Sequence, residues 1–448
     1  MNRYGSSVLA AALVFTLAAC DDDDDMMTPV AATTFEVSIE NVTPSFDFAT
    51  SGVFNTPVGA SAPGPLLPGG MYQFDVAAPE GSRLSFATMF VQSNDWFYAP
   101  DGAGIALWDG SGMQISGDVT DQLYLWDAGS EEDQEPGIGA DQAPRQASAN
   151  TGAVDDDTTV RLAADSWANI PATADVIRVM ITPIDATNFR VTIENVSTDM
   201  TLSSSDMMTR PVPMAPGLWV VHTDDDPLFT VGQDERGEGL AAIAEDGDPS
   251  GLAMNVESRT GIAGPIAPGA FAVHTAPSVL FMTGAGDAGL GLEALAEDGD
   301  PSALAAAMAA SADATGSGAF NTPSGAAGPA PAFPGESYSF QFDAVPGERL
   351  SFATMYVQSN DLFFAPSDAG LELFPGGTAL NGDVTDMIML MDSGTEVNEF
   401  PGIGLNQAPR QSGANVGAAE GGLVQLVDDG YMYPAVGTVV RVTIRPVS

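Results

Sequence analysis

The chain of 448 residues carries 60 acidic residues against 13 basic ones, all of them arginine, for a formal net charge of −47. That balance excludes recognition of nucleic-acid phosphates, which needs cationic side chains. The absence of lysine excludes P-loop, pyridoxal-phosphate and Schiff-base chemistry, and a single cysteine excludes an internal disulfide.

The first element is a leader. Arg3 precedes an apolar stretch, Val8 to Leu17, that is too short to span a bilayer. It ends in Leu17-Ala18-Ala19-Cys20, the pattern of a bacterial lipobox. This predicts a signal peptide over 1–19 and a lipid on Cys20. The acyl chains would hold an extracytoplasmic protein to the cell envelope, on the periplasmic face or the cell surface. Asp21 to Asp25 then open an acidic spacer over 20–33, since a run of like charges repels itself and stays extended.

Beyond the spacer the chain repeats itself. RLSFATMFVQSND at 83–95 returns as RLSFATMYVQSND at 349–361, and GDVTDQLYLWDAGSEEDQEPGIGADQAPRQ at 117–146 returns at 382–411 as GDVTDMIMLMDSGTEVNEFPGIGLNQAPRQ. Phe35-Glu-Val-Ser-Ile-Glu-Asn-Val42 matches the segment that begins at Phe189, and Val176 to Pro183 matches Val439 to Pro446. In sequence order these frame two units, 34–185 and 188–448. The framing segments read as strands, because Phe35, Val37 and Ile39 alternate with Glu36, Ser38 and Glu40, as Val440, Val442 and Ile444 do with Arg441, Thr443 and Arg445. Short apolar runs separated by Gly, Pro, Asn and Asp predict two tandem antiparallel β-sandwiches.

The second unit carries a helical insert that is itself duplicated, over 214–256 and 266–308. Ala215 to Thr223 returns as Ala267 to Thr275, and Gly239 to Ser250 as Gly291 to Ser302. The later copy predicts a helix stopped by Gly299, then Asp300 capping a second helix that leads into Ala303 to Ala310. Because the first unit lacks this segment, the earlier copy is expected to pack against it. His222 and His274, the only histidines, fall at equivalent positions of the insert and read as structural.

The acids inside the large repeat carry the candidate chemistry. Asp95 and Asp361 end matching apolar strands, as do Asp127 and Asp392. Gly129 and Gly394 permit turns that bring Glu131 and Glu396 back toward them. Carboxylates converging from two loops repel one another unless a hard cation lies between them.

Several ordered motifs together resemble the spondin N-terminal domain. They are Phe189 to Val196, the stretch from His274 to Gly299, Phe320-Asn-Thr-Pro323 and Ser359-Asn-Asp-Leu-Phe363. The resemblance covers the whole second unit and, without the insert, the first. It implies a β-sandwich and a role in extracellular adhesion. It also implies one calcium-like divalent cation per domain, held by Asp95, Asp127 and Glu131 in the first and by Asp361, Asp392 and Glu396 in the second. The chain departs from the family pattern in having Glu131 and Glu396 where the family has Asp, and Leu362 where Trp96 keeps the family's Trp. The expected function is therefore lipid-anchored binding of an extracellular protein or glycan, without catalysis. The alternatives are a glycan hydrolase using paired carboxylates such as Asp95 with Glu131, and a purely structural envelope protein.

Overall fold

The computed structural model describes residues 31–447, so the leader, the lipidation site Cys20 and most of the spacer lie outside the described residues. The fold is mainly β, built as two antiparallel β-sandwiches. The main strands in chain order are β1 (Thr33–Asn41), β2 (Phe48–Phe54), β3 (Met71–Ala77), β4 (Arg83–Phe90), β5 (Trp96–Pro100), β6 (Leu123–Asp127), β7 (Ile177–Pro183) and β8 (Asn188–Asn195). They continue with β9 (Met214–His222), β10 (Ile266–His274), β11 (Ala314–Phe320), β12 (Ser337–Ala344), β13 (Arg349–Tyr356), β14 (Leu362–Pro366), β15 (Ile388–Asp392) and β16 (Val440–Val447). Helices α1 (Leu240–Asp246) and α2 (Ser250–Glu257) follow β9; α3 (Leu292–Asp298) and α4 (Ser302–Ala310) follow β10.

Strand pairing overturns the division read in sequence order. β8 lies between β3 and β7, while β1 lies between β12 and β16, at the far end of the chain. The two matching opening strands are thus exchanged relative to their neighbours in sequence. Residues 48–260 form one unit, and they are inserted into a second unit made of β1 and residues 262–447. We call these the inserted and the host unit. The boundaries 34–185 and 188–448 fail because an alternating strand shows which of its faces is buried but not which sheet receives it.

The same pairing explains the doubled insert. β9 runs between β2 and β4 of the inserted unit, and β10 occupies the equivalent place between β11 and β13 of the host. Each unit therefore owns one complete set of elements, and neither is trimmed. The inserted unit follows the order β3-β8-β7 in its small sheet and β2-β9-β4-β5-β6 in its large one. The host follows β12-β1-β16 and β11-β10-β13-β14-β15.

The repeated RLSFATM strand owes its identity to burial on both faces. In β4, Leu84, Phe86 and Phe90 enter the sandwich core with Phe189, Val191 and Ile193 of β8. Ala87 turns outward beneath Leu240, Ile243 and Leu252 of α1 and α2. β13 does the same with Leu350, Phe352 and Tyr356 against Phe35, Val37 and Ile39 of β1, and with Ala353 under α3 and α4. A strand packed on both sides tolerates little change in volume. The helices follow the sequence expectation. Gly247 and Gly299 end α1 and α3 in the left-handed conformation, at φ 67° each, and the side chains of Asp248 and Asp300 accept from the amides of Ser250 and Ser302 at 2.9 Å.

The asparagine of each Glu-Asn-Val step anchors its strand in the same way in both units. Asn41 donates to the carbonyls of Gly264 and Ala332, both at 2.9 Å, and so pins the returning chain to the host unit. Asn195 donates equivalently to Leu66 and Val212. Charge pairs on the exposed strand faces differ between the units. Glu36 of β1 pairs with Arg445 of β16, whereas Arg190 of β8 pairs with Asp75 of β3.

Candidate metal centre

In the host unit the acidic site grows from the ends of two adjacent strands. β13 runs into a turn in which the Ser359 hydroxyl donates to the Tyr356 carbonyl, and the amide of Leu362 returns to Ser359 at 3.1 Å. This turn delivers Asp361 beside the end of β15, where Asp392 pairs in register with Leu362. After Asp392 the chain reverses at Gly394 (φ 68°), where a Cβ would stand 2.6 Å from the amide nitrogen of Leu423. The reversal places the amides of Thr395 and Glu396 on Asp361 Oδ2 at 2.8 and 3.0 Å, and the Ser393 hydroxyl joins them at 2.9 Å.

One oxygen of Asp361 is thus saturated while the other, Oδ1, is buried without any hydrogen-bond partner. A ligand atom from each of Asp361, Asp392 and Glu420 lies within 4.8 Å of the others, a group that could hold a metal ion. Asp392 Oδ1 accepts from the Gly394 amide at 2.7 Å, and Oδ2 from Asn398 at 3.1 Å. Burial, then repulsion from Asp361, pushes the Asp392 carboxyl up to about 6.

The remaining expected ligand turns away from this cluster. Glu396 accepts from the Gly417 amide at 2.6 Å and from Asn360 at 3.1 Å, so both its oxygens brace the loop. Glu420 takes the third place instead. The sequence offered a signal for it, because Ala414-Asn-Val-Gly-Ala-Ala-Glu420 repeats Ala149-Asn-Thr-Gly-Ala-Val-Asp155. Glu396 bridges to Ala419 just as Glu131 bridges to Val154, which sets the next residue beside the acids.

The inserted unit uses the same frame with different charges. Asp95 Oδ2 accepts from the amides of Ser130 and Glu131 at 2.7 and 3.0 Å, and its Oδ1 is buried without a partner. Glu131 again braces the loop, through the Gly152 amide at 2.8 Å and Asn94 at 3.4 Å. Here, however, an arginine enters. Arg161 stands opposite Asp127 in the ladder, where the host has Gln425 opposite Asp392. Its guanidinium meets Asp127 at 2.7 Å and Asp155, the counterpart of Glu420, at 2.6 Å. Asp133 completes the cluster with both oxygens buried and unpartnered; its counterpart in the host is Asn398. Burial first, then the neighbouring Asp127, raises the Asp95 carboxyl, and Asp133 is raised by burial and by both of them. None of the ten ion pairs among the described residues reaches Asp361, Asp392 or Glu420.

The histidines stand apart from both clusters. His222 Nδ1 donates to the Asp224 carbonyl at 2.7 Å, which leaves Nε2 to accept from Ser85 at 2.9 Å. His274 repeats this with Ala276 and with Ser351, the latter at 2.8 Å. Burial depresses both imidazoles below their ordinary value. A depressed folded-state value means that their stabilisation is complete above about pH 6.5 and is lost as pH falls toward that lower value. The stability difference between wild type and the double variant His222→Gln/His274→Gln, read from urea midpoints, should therefore shrink between pH 7.5 and 5.5. A constant or growing difference would contradict this.

Among the described residues no helix is long and apolar enough to cross a membrane. Neither a scan against protein-family models nor a search of curated proteins finds a match, so the similarity to the spondin N-terminal domain rests on the quoted motifs alone.

Proposed function

We propose that this chain is a divalent-cation-binding adhesion module, carried outside the cytoplasm on a lipid at Cys20. The observation that supports the cation is Asp361, which has a carboxylate oxygen, Oδ1, buried without a donor and whose carboxylate groups with those of Asp392 and Glu420. Leaving such a group unpaired costs free energy that a bound ion offsets. All candidate ligands are oxygens, which favours calcium. Calcium–oxygen distances of about 2.4 Å keep any two ligand atoms of one ion within about 4.8 Å of each other, a limit that these three carboxylates meet. The host unit is the stronger site, because in the inserted unit Arg161 already supplies positive charge.

Adhesion, as opposed to another kind of binding, follows from the spondin resemblance and from the lipid tether. Hydrolysis by Asp95 with Glu131 is less well supported. Both residues are buried, and three of their four oxygens are held by backbone amides or by Asn94, which leaves no approach for a glycosidic bond.

Calcium at a hundred times its dissociation constant should stabilise the host unit by about 2.7 kcal/mol. For a unit of about 200 residues this raises its melting temperature by roughly 5–10 °C. The variant Asp361→Asn should abolish the shift, and Asp95→Asn should leave it in place. Identical melting curves with calcium and with chelator would remove the cation from this reading.

A further inference from the structure

The exchanged strands leave a cavity of about 520 Å³ where the two units meet. Its walls come from both. The inserted unit contributes Ala49, Ser51 and Trp219, the host contributes Tyr356, Phe400 and Tyr433, and the two connecting segments cross it at Thr43 to Phe46 and at Thr260 to Ile262. Pockets of this size at the junction of two units, apolar with a few polar groups, are the usual form of a small-molecule site.

Most polar side chains in the wall are already satisfied within the protein. Thr50 donates to the Ala77 carbonyl at 2.6 Å, Ser51 bonds Thr260 at 2.8 Å, and Asp75 is held by Arg190 at 2.8 Å. Tyr433 donates to Asp429, and Asn188 to Asp185 at 2.9 Å. Two hydroxyls differ. Thr43 Oγ1 is buried without a partner. The hydroxyl of Tyr356, a residue 5 % exposed, has no hydrogen-bond partner among the described residues either. Tyr356 is also the one position at which the repeat 349–361 departs from 83–95, where Phe90 sits closed inside the sandwich core.

We propose that this cavity binds a neutral aromatic or alicyclic small molecule with one hydrogen-bonding group. The rings of Trp219, Tyr356, Phe400 and Tyr433 offer faces and edges for stacking, and the hydroxyl of Tyr356 receives the polar group. The charge of −47 repels an anion, and the only carboxylate in the wall, Asp75, is already paired, which leaves nothing to hold a cation. Its wall shares no residue with the cation centre of Asp361, Asp392 and Glu420.

The test uses the full chain and N-phenyl-1-naphthylamine, a neutral aromatic amine with a single N–H whose fluorescence rises in apolar surroundings. Saturable binding at one site per chain is expected. Tyr356→Phe should weaken it about threefold to tenfold, the loss of one hydrogen bond. Ser51→Trp, which fills the cavity from β2, should weaken it more than tenfold with an unchanged melting curve. Should that variant fail to fold, Ala49→Leu, also in the cavity wall, takes its place. The proposal is overturned if binding does not saturate, or if a folded cavity-filling variant binds as wild type does.

Discussion

Arg161→Gln should destabilise the inserted unit by about 3 kcal/mol in chelator and make that unit responsive to calcium. Arg161 is 17 % exposed, and it faces the fully buried Asp127 together with Asp155. Removing one partner of a buried pair strands the other charge, at a cost of about 3–5 kcal/mol, and partial exposure argues for the lower end. Here both Asp127 and Asp155 lose their partner, and Asp95 and Asp133 already lie beside Asp127 with unpartnered oxygens. For a unit of this size the melting transition should fall by roughly 6–12 °C. Calcium should then recover part of the loss in the variant while moving the wild-type inserted unit little. The converse change, Gln425→Arg, should blunt the calcium response of the host. All five tryptophans, Trp96 to Trp219, lie in the inserted unit, so tryptophan fluorescence follows it selectively. An Arg161→Gln protein as stable in chelator as wild type would show that the guanidinium does not neutralise the cluster.

The second large effect concerns β1. Deleting residues 33–41 should unfold the host unit and leave the inserted unit folded, although the deleted strand adjoins the inserted unit in sequence. β1 is an interior strand, paired on one side with β12 and on the other with β16. It buries Phe35, Val37 and Ile39 almost completely. At about 1.5–3 kcal/mol each, these three side chains alone approach the 5–15 kcal/mol by which a domain is stable, before either ladder is counted. The tryptophan-detected transition should persist, and limited proteolysis should release a resistant fragment close to 44–261. The arrangement read in sequence order predicts the reverse, with the signal of Trp96, Trp108, Trp126 and Trp167 lost and the C-terminal part, Trp219 included, intact.

What could be read in advance follows from what each kind of residue encodes. The alternation Phe35, Val37, Ile39 is a local property of a half-buried strand, so strand and face were legible. So were the sandwich architecture and the two strand ends that present Asp361 and Asp392. The helix stops at Gly247 and Gly299 were legible because the left-handed conformation needs glycine. The exchange was not, because Phe35 to Val42 and Phe189 to Val196 carry the same apolar pattern and fit either slot. Glu131 and Glu396 turn away from the acids for a related reason. Spacing after Gly129 and Gly394 predicts that the chain returns to Asp95 and Asp361, and it does, but with its amides. The third carboxylate of the host site comes from a loop 24 residues beyond Glu396, and only tertiary structure brings it there.

The exchange also sets a problem in time. β1 is the first strand to be made, and its slot in the host is not complete until β12 and β16 exist. By then the look-alike slot between β3 and β7 has stood ready, and the strand that belongs there, β8, follows β7 by only a few residues. Nothing in the apolar faces would stop β1 from settling in it. The outward residues disfavour it. In that slot Glu36 would stand where Arg190 stands, directly opposite Asp75, and β8 placed in the host would set Arg190 opposite Arg445. Like charges directly across a ladder are destabilising, so a single inverted charge on each of two otherwise matching strands acts as an address that directs each to its own sheet.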